Sequence, residues 1–225
     1  MVKILCIGDS LGLPRDGVEY DETWHYILSR EMPDTIIYPF FVRNQTTESL
    51  RSTYSNFVTS FKPQIIIVQL GICDCSPRII NDKSVPWKLL LKFSRLVHME
   101  STVWRIIKLF WSRTNPKRVY VRFERFKKNV FDFSMDCMKM GVSLVFINIA
   151  NPAEFVKRKS VCLKDNIDKY NSVFSELSSL YPDSIISVDP LSDGIETDYI
   201  DGYHTNARGF RKVALSLIEI VRKPR

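Results

Sequence analysis

The chain of 225 residues is long enough to bury one sizeable core, and 45% hydrophobic with 25% charged residues excludes disorder, a collagen-like repeat and a membrane-spanning composition. A net charge of +7 leaves nucleic acid, anionic lipid or an acidic substrate open as partners. Five cysteines (Cys6, Cys73, Cys75, Cys137, Cys162) are an odd, scattered set in a chain too large to need stapling, which argues for a reducing compartment over a disulfide framework.

The opening Met1-Val2-Lys3 runs directly into Ile4-Leu5-Cys6-Ile7, an apolar run too short for a signal peptide. It reads as a first strand over 3–7, in a cytoplasmic protein with no transmembrane helix. The strand ends in Gly8-Asp9-Ser10, with Gly12 and Pro14 behind it, so a serine hydroxyl stands on the first loop. A helical pattern over 20–31 follows and contains His25 between Trp24 and Tyr26, where a packing or surface role is expected. The second strand is expected at 35–40, and Val42-Arg43-Asn44-Gln45-Thr46-Thr47 leads from it into a helix over 46–61.

The third strand, at 64–70, runs into Gly71-Ile72-Cys73-Asp74-Cys75. About forty residues, 76–118, then separate it from the next helix and form an insertion. From Lys83 to Lys128 thirteen Lys or Arg face two Glu, while the rest of the chain is near neutral or acidic. Trp87, Phe93, Trp104, Phe110 and Trp111 alternate with Lys88, Lys92, Arg95, Arg105 and Lys108, as in amphipathic helices with a basic face. A helical lid with a solvated basic face is the first reading. Peripheral attachment of the 83–128 segment to anionic membrane lipid is the second. No nucleic-acid recognition motif accompanies the charge, so nucleic acid is not expected. His98, within the insertion, reads as an ordinary helix residue.

Helix 120–140, strand 142–149, the loop Asn151-Pro152, helix 163–180, strand 184–188, the polar turn Asp201-Gly202-Tyr203-His204-Thr205-Asn206 and helix 207–221 complete the chain. Strands and helices alternate throughout, which predicts one domain over 1–225 with a doubly wound, three-layer α/β/α sandwich, flavodoxin-like, around a five-stranded, mainly parallel sheet. In such sheets ligands bind at the carboxyl ends of the strands. Serine becomes a nucleophile when an imidazole, oriented by a carboxylate, takes its proton. Of the three histidines, His204 has an aspartate three residues upstream, close enough to fix its tautomer within one turn. A lone Cys73-x-Cys75 pair, with no second ligand pair at suitable spacing, predicts no metal site.

The blocks Gly8-Asp9-Ser10, Gly71-Ile72-Cys73-Asp74 and Asp201-Gly202-Tyr203-His204 resemble, in order and placement, those of the SGNH (GDSL-type) hydrolase superfamily, and the match runs from end to end of the chain. The resemblance implies that Ser10 attacks an ester carbonyl, His204 serves as base and then acid, and Asp201 orients His204, with no cofactor. It implies Ser10 N–H as one oxyanion donor, with two more expected from a glycine and an asparagine. This sequence departs at both, carrying Asn44 for the glycine and Cys73 for the asparagine. Asn tolerates left-handed backbone geometry, so a backbone donor survives at 44. A thiol is a weak donor, which leaves Arg78, Asn44 or a main-chain N–H of the Gly71–Cys75 loop as replacements. Asp9 and Asp74 are expected to brace these loops, and Asn151 to line the pocket. The blocks around Ser10 and Cys73 are also similar to SGNH proteins of bacterial surface-polysaccharide pathways, implying removal of O-acetyl or another short acyl group from a carbohydrate. Lipid or lysophospholipid cleavage, O-acyl transfer and a non-catalytic binding role are the alternatives.

Overall fold

A computed structural model describes residues 1–78, 118–192 and 196–222, together with 89, 92, 93, 101 and 102. Trp87, His98, Trp104, Phe110, Trp111 and most of the insertion expected at 76–118 lie outside the described residues. Five strands form one sheet: β1 (Val2–Gly8), β2 (Thr35–Phe41), β3 (Ile65–Gln69), β4 (Ser143–Ile147) and β5 (Ile185–Val188). Their order is β2-β1-β3-β4-β5, and every pairing is parallel.

The runs of β-branched residues form strands because both faces of the sheet are covered. Alternate residues point to opposite sides, so Leu5, Ile7, Ile66, Val68, Leu144 and Phe146 fill one core, and Ile4, Cys6, Ile65, Ile67, Val145 and Ile147 the other. α1 (Trp24–Glu31) and α7 (Ala207–Arg222) cover the second face. α2 (Ser55–Phe61), α4 (Phe123–Lys139) and α6 (Val161–Leu180) cover the first. Pro39, which cannot donate to a ladder, stands on the edge strand β2.

The helix expected at 20–31 is broken, whereas the one expected at 46–61 runs without a break from 49 to 61. Thr23 is extended (φ −69°, ψ 147°) between a 3-10 turn at Tyr20–Glu22 and α1. The break lets Trp24 Nε1 donate to Gln69 Oε1 (2.9 Å) and His25 Nε2 donate to the Gly12 carbonyl (3.1 Å). His25 also stacks on Phe41, and burial pulls its pKa down to about 4, so it is a neutral packing residue beneath the first loop. Residues Leu50–Tyr54 form a π turn ahead of α2. Two short helices were not anticipated, α3 (Ile72–Cys75) and α5 (Glu154–Lys159). Where the insertion joins the fold, Arg78 N–H donates to the Arg118 carbonyl (2.7 Å), so its two ends lie side by side. No helix among the described residues is long and apolar enough to cross a membrane.

β1 connects to β2 across one face of the sheet and β2 to β3 across the other, which opens a crevice between the carboxyl ends of β1 and β3. At the β3 end Gly71 takes φ +129°, and a Cβ there would lie 2.5 Å from Ile149 Cδ1. Both the conformation and the close approach require glycine. Gly71→Ala is expected to destabilise the protein by at least about 2 kcal/mol in chemical denaturation, combining backbone strain with overpacking.

Candidate active site

The first loop leaves β1 with Asp9 as cap: its Oδ1 accepts the Leu11 N–H (2.9 Å), winding Ser10–Gly12 into a 3-10 turn that lifts Ser10 over the sheet edge. At the other end of the chain, the segment before α7 closes on itself. Tyr199 and Thr205 form an antiparallel bridge, and Ile200 N–H donates to the His204 carbonyl (2.8 Å). Within that loop Asp201 Oδ1 accepts the N–H groups of Tyr203 (3.1 Å) and His204 (2.9 Å), while His204 Nδ1 donates to Asp201 Oδ2 (2.8 Å). The remaining ring nitrogen, Nε2, is then an acceptor, and it lies 3.1 Å from Ser10 Oγ. Ser10, at one end of the chain, thus stands in a hydrogen-bonded series with His204 and Asp201 at the other, the arrangement that a nucleophile, a base and its orienter take.

Burial lowers the pKa of His204; the bond to Asp201 opposes that effect, and the nearby guanidinium groups of Arg15 and Arg43 add to it, leaving His204 below its ordinary range. Asp201 loses some solvation, but the N–H groups it accepts outweigh this and hold it below the usual carboxylate range. At neutral pH the pair is therefore carboxylate and neutral imidazole, the state a general base needs. Arg15, which nothing in the sequence reading singled out, places Nη2 against His204 Nε2. Its nearness to Ser10 on the first loop was the only available signal.

A cavity of about 180 Å³ opens beside Ser10 and is lined by Asn44, Cys73, Arg78, Tyr203 and His204 among others. Asn44 takes the left-handed conformation (φ +60°). Among the described residues no acceptor takes the N–H of Ser10 or of Asn44. The Cys73 thiol is buried near the Asp9 and Asp74 carboxyls, and burial above all raises its pKa and keeps it protonated.

Gly71, Asp74 and Asn151, the last of which was expected to line the pocket, do not line it. Gly71 turns the chain against Ile149, as described. Asp74 is fully buried and accepts from Thr47 Oγ1 (2.6 Å) and Thr47 N–H (3.0 Å), tying the β3 loop to the β2 loop. Asn151 is tied to the β5 side of the molecule, where its carbonyl accepts from Tyr199 Oη (2.7 Å). Among the residues that do line the cavity, Tyr203 and Ser160 were missed. Tyr203 lies within a motif that drew attention only for its Asp and His, and Ser160 arrives through α5, an element too short to leave a periodic pattern.

No protein-family model matches the chain, and no curated protein matches it in sequence. Solved structures do match along its whole length. A lipolytic protein of the G-D-S-L family from Veillonella parvula is 11% identical with a TM-score of 0.62, covering 99% of this chain and 100% of that one. The fold is that of the G-D-S-L hydrolases. An aryl esterase of M. smegmatis (15% identity, TM-score 0.63, 99% of each chain) and Est24, a carbohydrate acetylesterase from Sinorhizobium meliloti (13%, 0.61, 98% of each), share it. In this G-D-S-L fold the Ser10 loop and the Asn44 loop flank the crevice at the carboxyl ends of β1 and β2, with α3 closing its β3 side.

The ring of charge around His204 makes a measurable difference. An NMR titration of the His204 imidazole is expected to give a pKa below 6.5, and Arg15→Gln is expected to move it upward by removing one positive neighbour.

Proposed function

We propose that the protein is a serine ester hydrolase in which Ser10 forms an acyl-enzyme. The observation that carries this reading is the hydrogen-bonded series Ser10 Oγ, His204 Nε2, His204 Nδ1, Asp201 Oδ2, standing beside two backbone N–H groups, of Ser10 and Asn44, that find no acceptor among the described residues. His204 takes the Ser10 proton as Oγ bonds to the ester carbon, and the carbonyl oxygen gains charge against the N–H groups of Ser10 and Asn44. The imidazolium, stabilised by Asp201, hands its proton to the departing alkoxide. Water then repeats the sequence to release the acid and restore Ser10.

The cavity size favours a short acyl group over a fatty chain. On the other side of His204 lies a wider groove of about 810 Å³ lined by Arg15, Asp16, Glu19, Arg43 and Asp201, polar enough for a hydroxyl-rich alcohol such as a carbohydrate. The likeness in fold to a carbohydrate acetylesterase is consistent with that choice. Five cysteines without a disulfide fit a reducing compartment such as the cytoplasm.

Hydrolysis of an aryl acetate tests the chemistry. Ser10→Ala and His204→Ala are each expected to lower kcat by at least about 10³. Equal rates in all three proteins would end the reading. Acetate release from O-acetylated glycans, followed by mass spectrometry, tests the substrate, and preferential release of long-chain fatty acid would point to lipid instead. The backbone donor at 44 has its own signature: Asn44→Gly, which adopts φ +60° freely, retains kcat within a few-fold. Asn44→Val, a β-branched residue that resists that conformation, loses on the order of 10².

A further inference from the structure

Arg78 lines the same cavity as Ser10. Its guanidinium lies over the Tyr120 ring, 4.5 Å from the centroid, which fixes the plane of the fork. No carboxylate among the described residues pairs with it, and its Nε is buried without a hydrogen-bond partner. A second buried polar group of the same cavity, Ser160 Oγ, is also unpartnered. Leaving two such groups unsatisfied is costly, and a guanidinium is matched best by a planar oxyanion such as a carboxylate. On the far side of His204 the cations Arg15 and Arg43 are offset by Asp16, Glu19 and Asp201, so Arg78 is the charged side chain of the Ser10 cavity itself.

We propose that the cavity receives a short acyl group ending in a carboxylate, as in the half-ester of a small dicarboxylic acid, with Arg78 and Ser160 binding the carboxylate while Ser10 attacks the ester carbonyl. This rests on the esterase reading and narrows its substrate class. The wider groove beyond His204 takes the alcohol, because His204 delivers its proton to the leaving oxygen.

The test compares an aryl hemisuccinate with the neutral aryl butyrate of similar length. Wild type is expected to prefer the hemisuccinate by about tenfold or more in kcat/KM, largely through KM. Arg78→Gln removes most of that preference and Arg78→Lys retains part of it. Free succinate competes with butyrate hydrolysis in the wild-type enzyme, a reading that needs no variant. Absence of both preference and competition overturns the proposal, as does an Arg78→Gln variant that loses kcat equally on both esters, which would assign Arg78 to the oxyanion. A preference for 4-acetoxybenzoate, with the anion on the alcohol, also overturns it. If butyrate hydrolysis survives Ser10→Ala, the esterase reading itself fails; if it depends on Ser10 without any hemisuccinate preference, only the present inference fails.

Discussion

The hydrogen bond between His204 and Asp201 exists because the loop carrying both is locked shut from below. Asp198, fully buried, pairs with Arg208 Nε (3.0 Å) and Lys212 Nζ (2.8 Å) on the first turns of α7. The Asp198 carbonyl accepts the Asn206 N–H (3.0 Å), and Asn206 Oδ1 caps the helix by accepting from Gly209 N–H (3.1 Å). Losing either partner would leave a buried carboxylate under-compensated, so the helix start and the loop carrying His204 are held as one unit. Asp201 itself is half-exposed, and its hold on the imidazole depends on this geometry more than on burial.

Two further carboxyls sit beneath the crevice. Burial pushes both Asp9 and Asp74 up to about 7, against a hydrogen bond from the Leu11 N–H in the first case and from Thr47 in the second. Raised pKa values mean that folding favours the protonated forms. Their contribution to stability is whole below the unfolded carboxyl range and is lost as pH rises through about 7. The molecule tolerates this because Asp74 joins the β2 and β3 loops through Thr47, while Asp9 shapes the serine turn.

Charge is distributed with a logic that the net value hides. The basic run at 83–128 dominates the sequence, yet the cations around the crevice, Arg15, Arg43 and Arg78, stand outside it. Arg15 and Arg43 help to depress the imidazole, and all three attract anions by the same Coulombic effect. A site that keeps its base neutral in this way gains if the substrate brings a compensating negative group.

The strand runs were legible because a doubly covered parallel strand needs β-branched residues at nearly every position, and the alternation of elements then left one place for a ligand. Ser10 and the Asp201/His204 pair were legible for a local reason, since a serine directly after β1 and a carboxylate three residues before an imidazole each act within a few residues of chain. The interruption at Thr23, the π turn at 50–54 and the approach of Arg15 to His204 were not, because each answers to a partner distant in sequence or to a packing demand: Gln69 and Gly12 for the Trp24–His25 pair, α4 for the π turn, the last loop for the arginine. The sequence by itself determined the fold class and the chemical types at the crevice. Which of them face the same cavity, and which are spent on holding the loops, was decided by tertiary structure, because hydrogen-bond partners are set by distances in space that spacing along the chain does not encode.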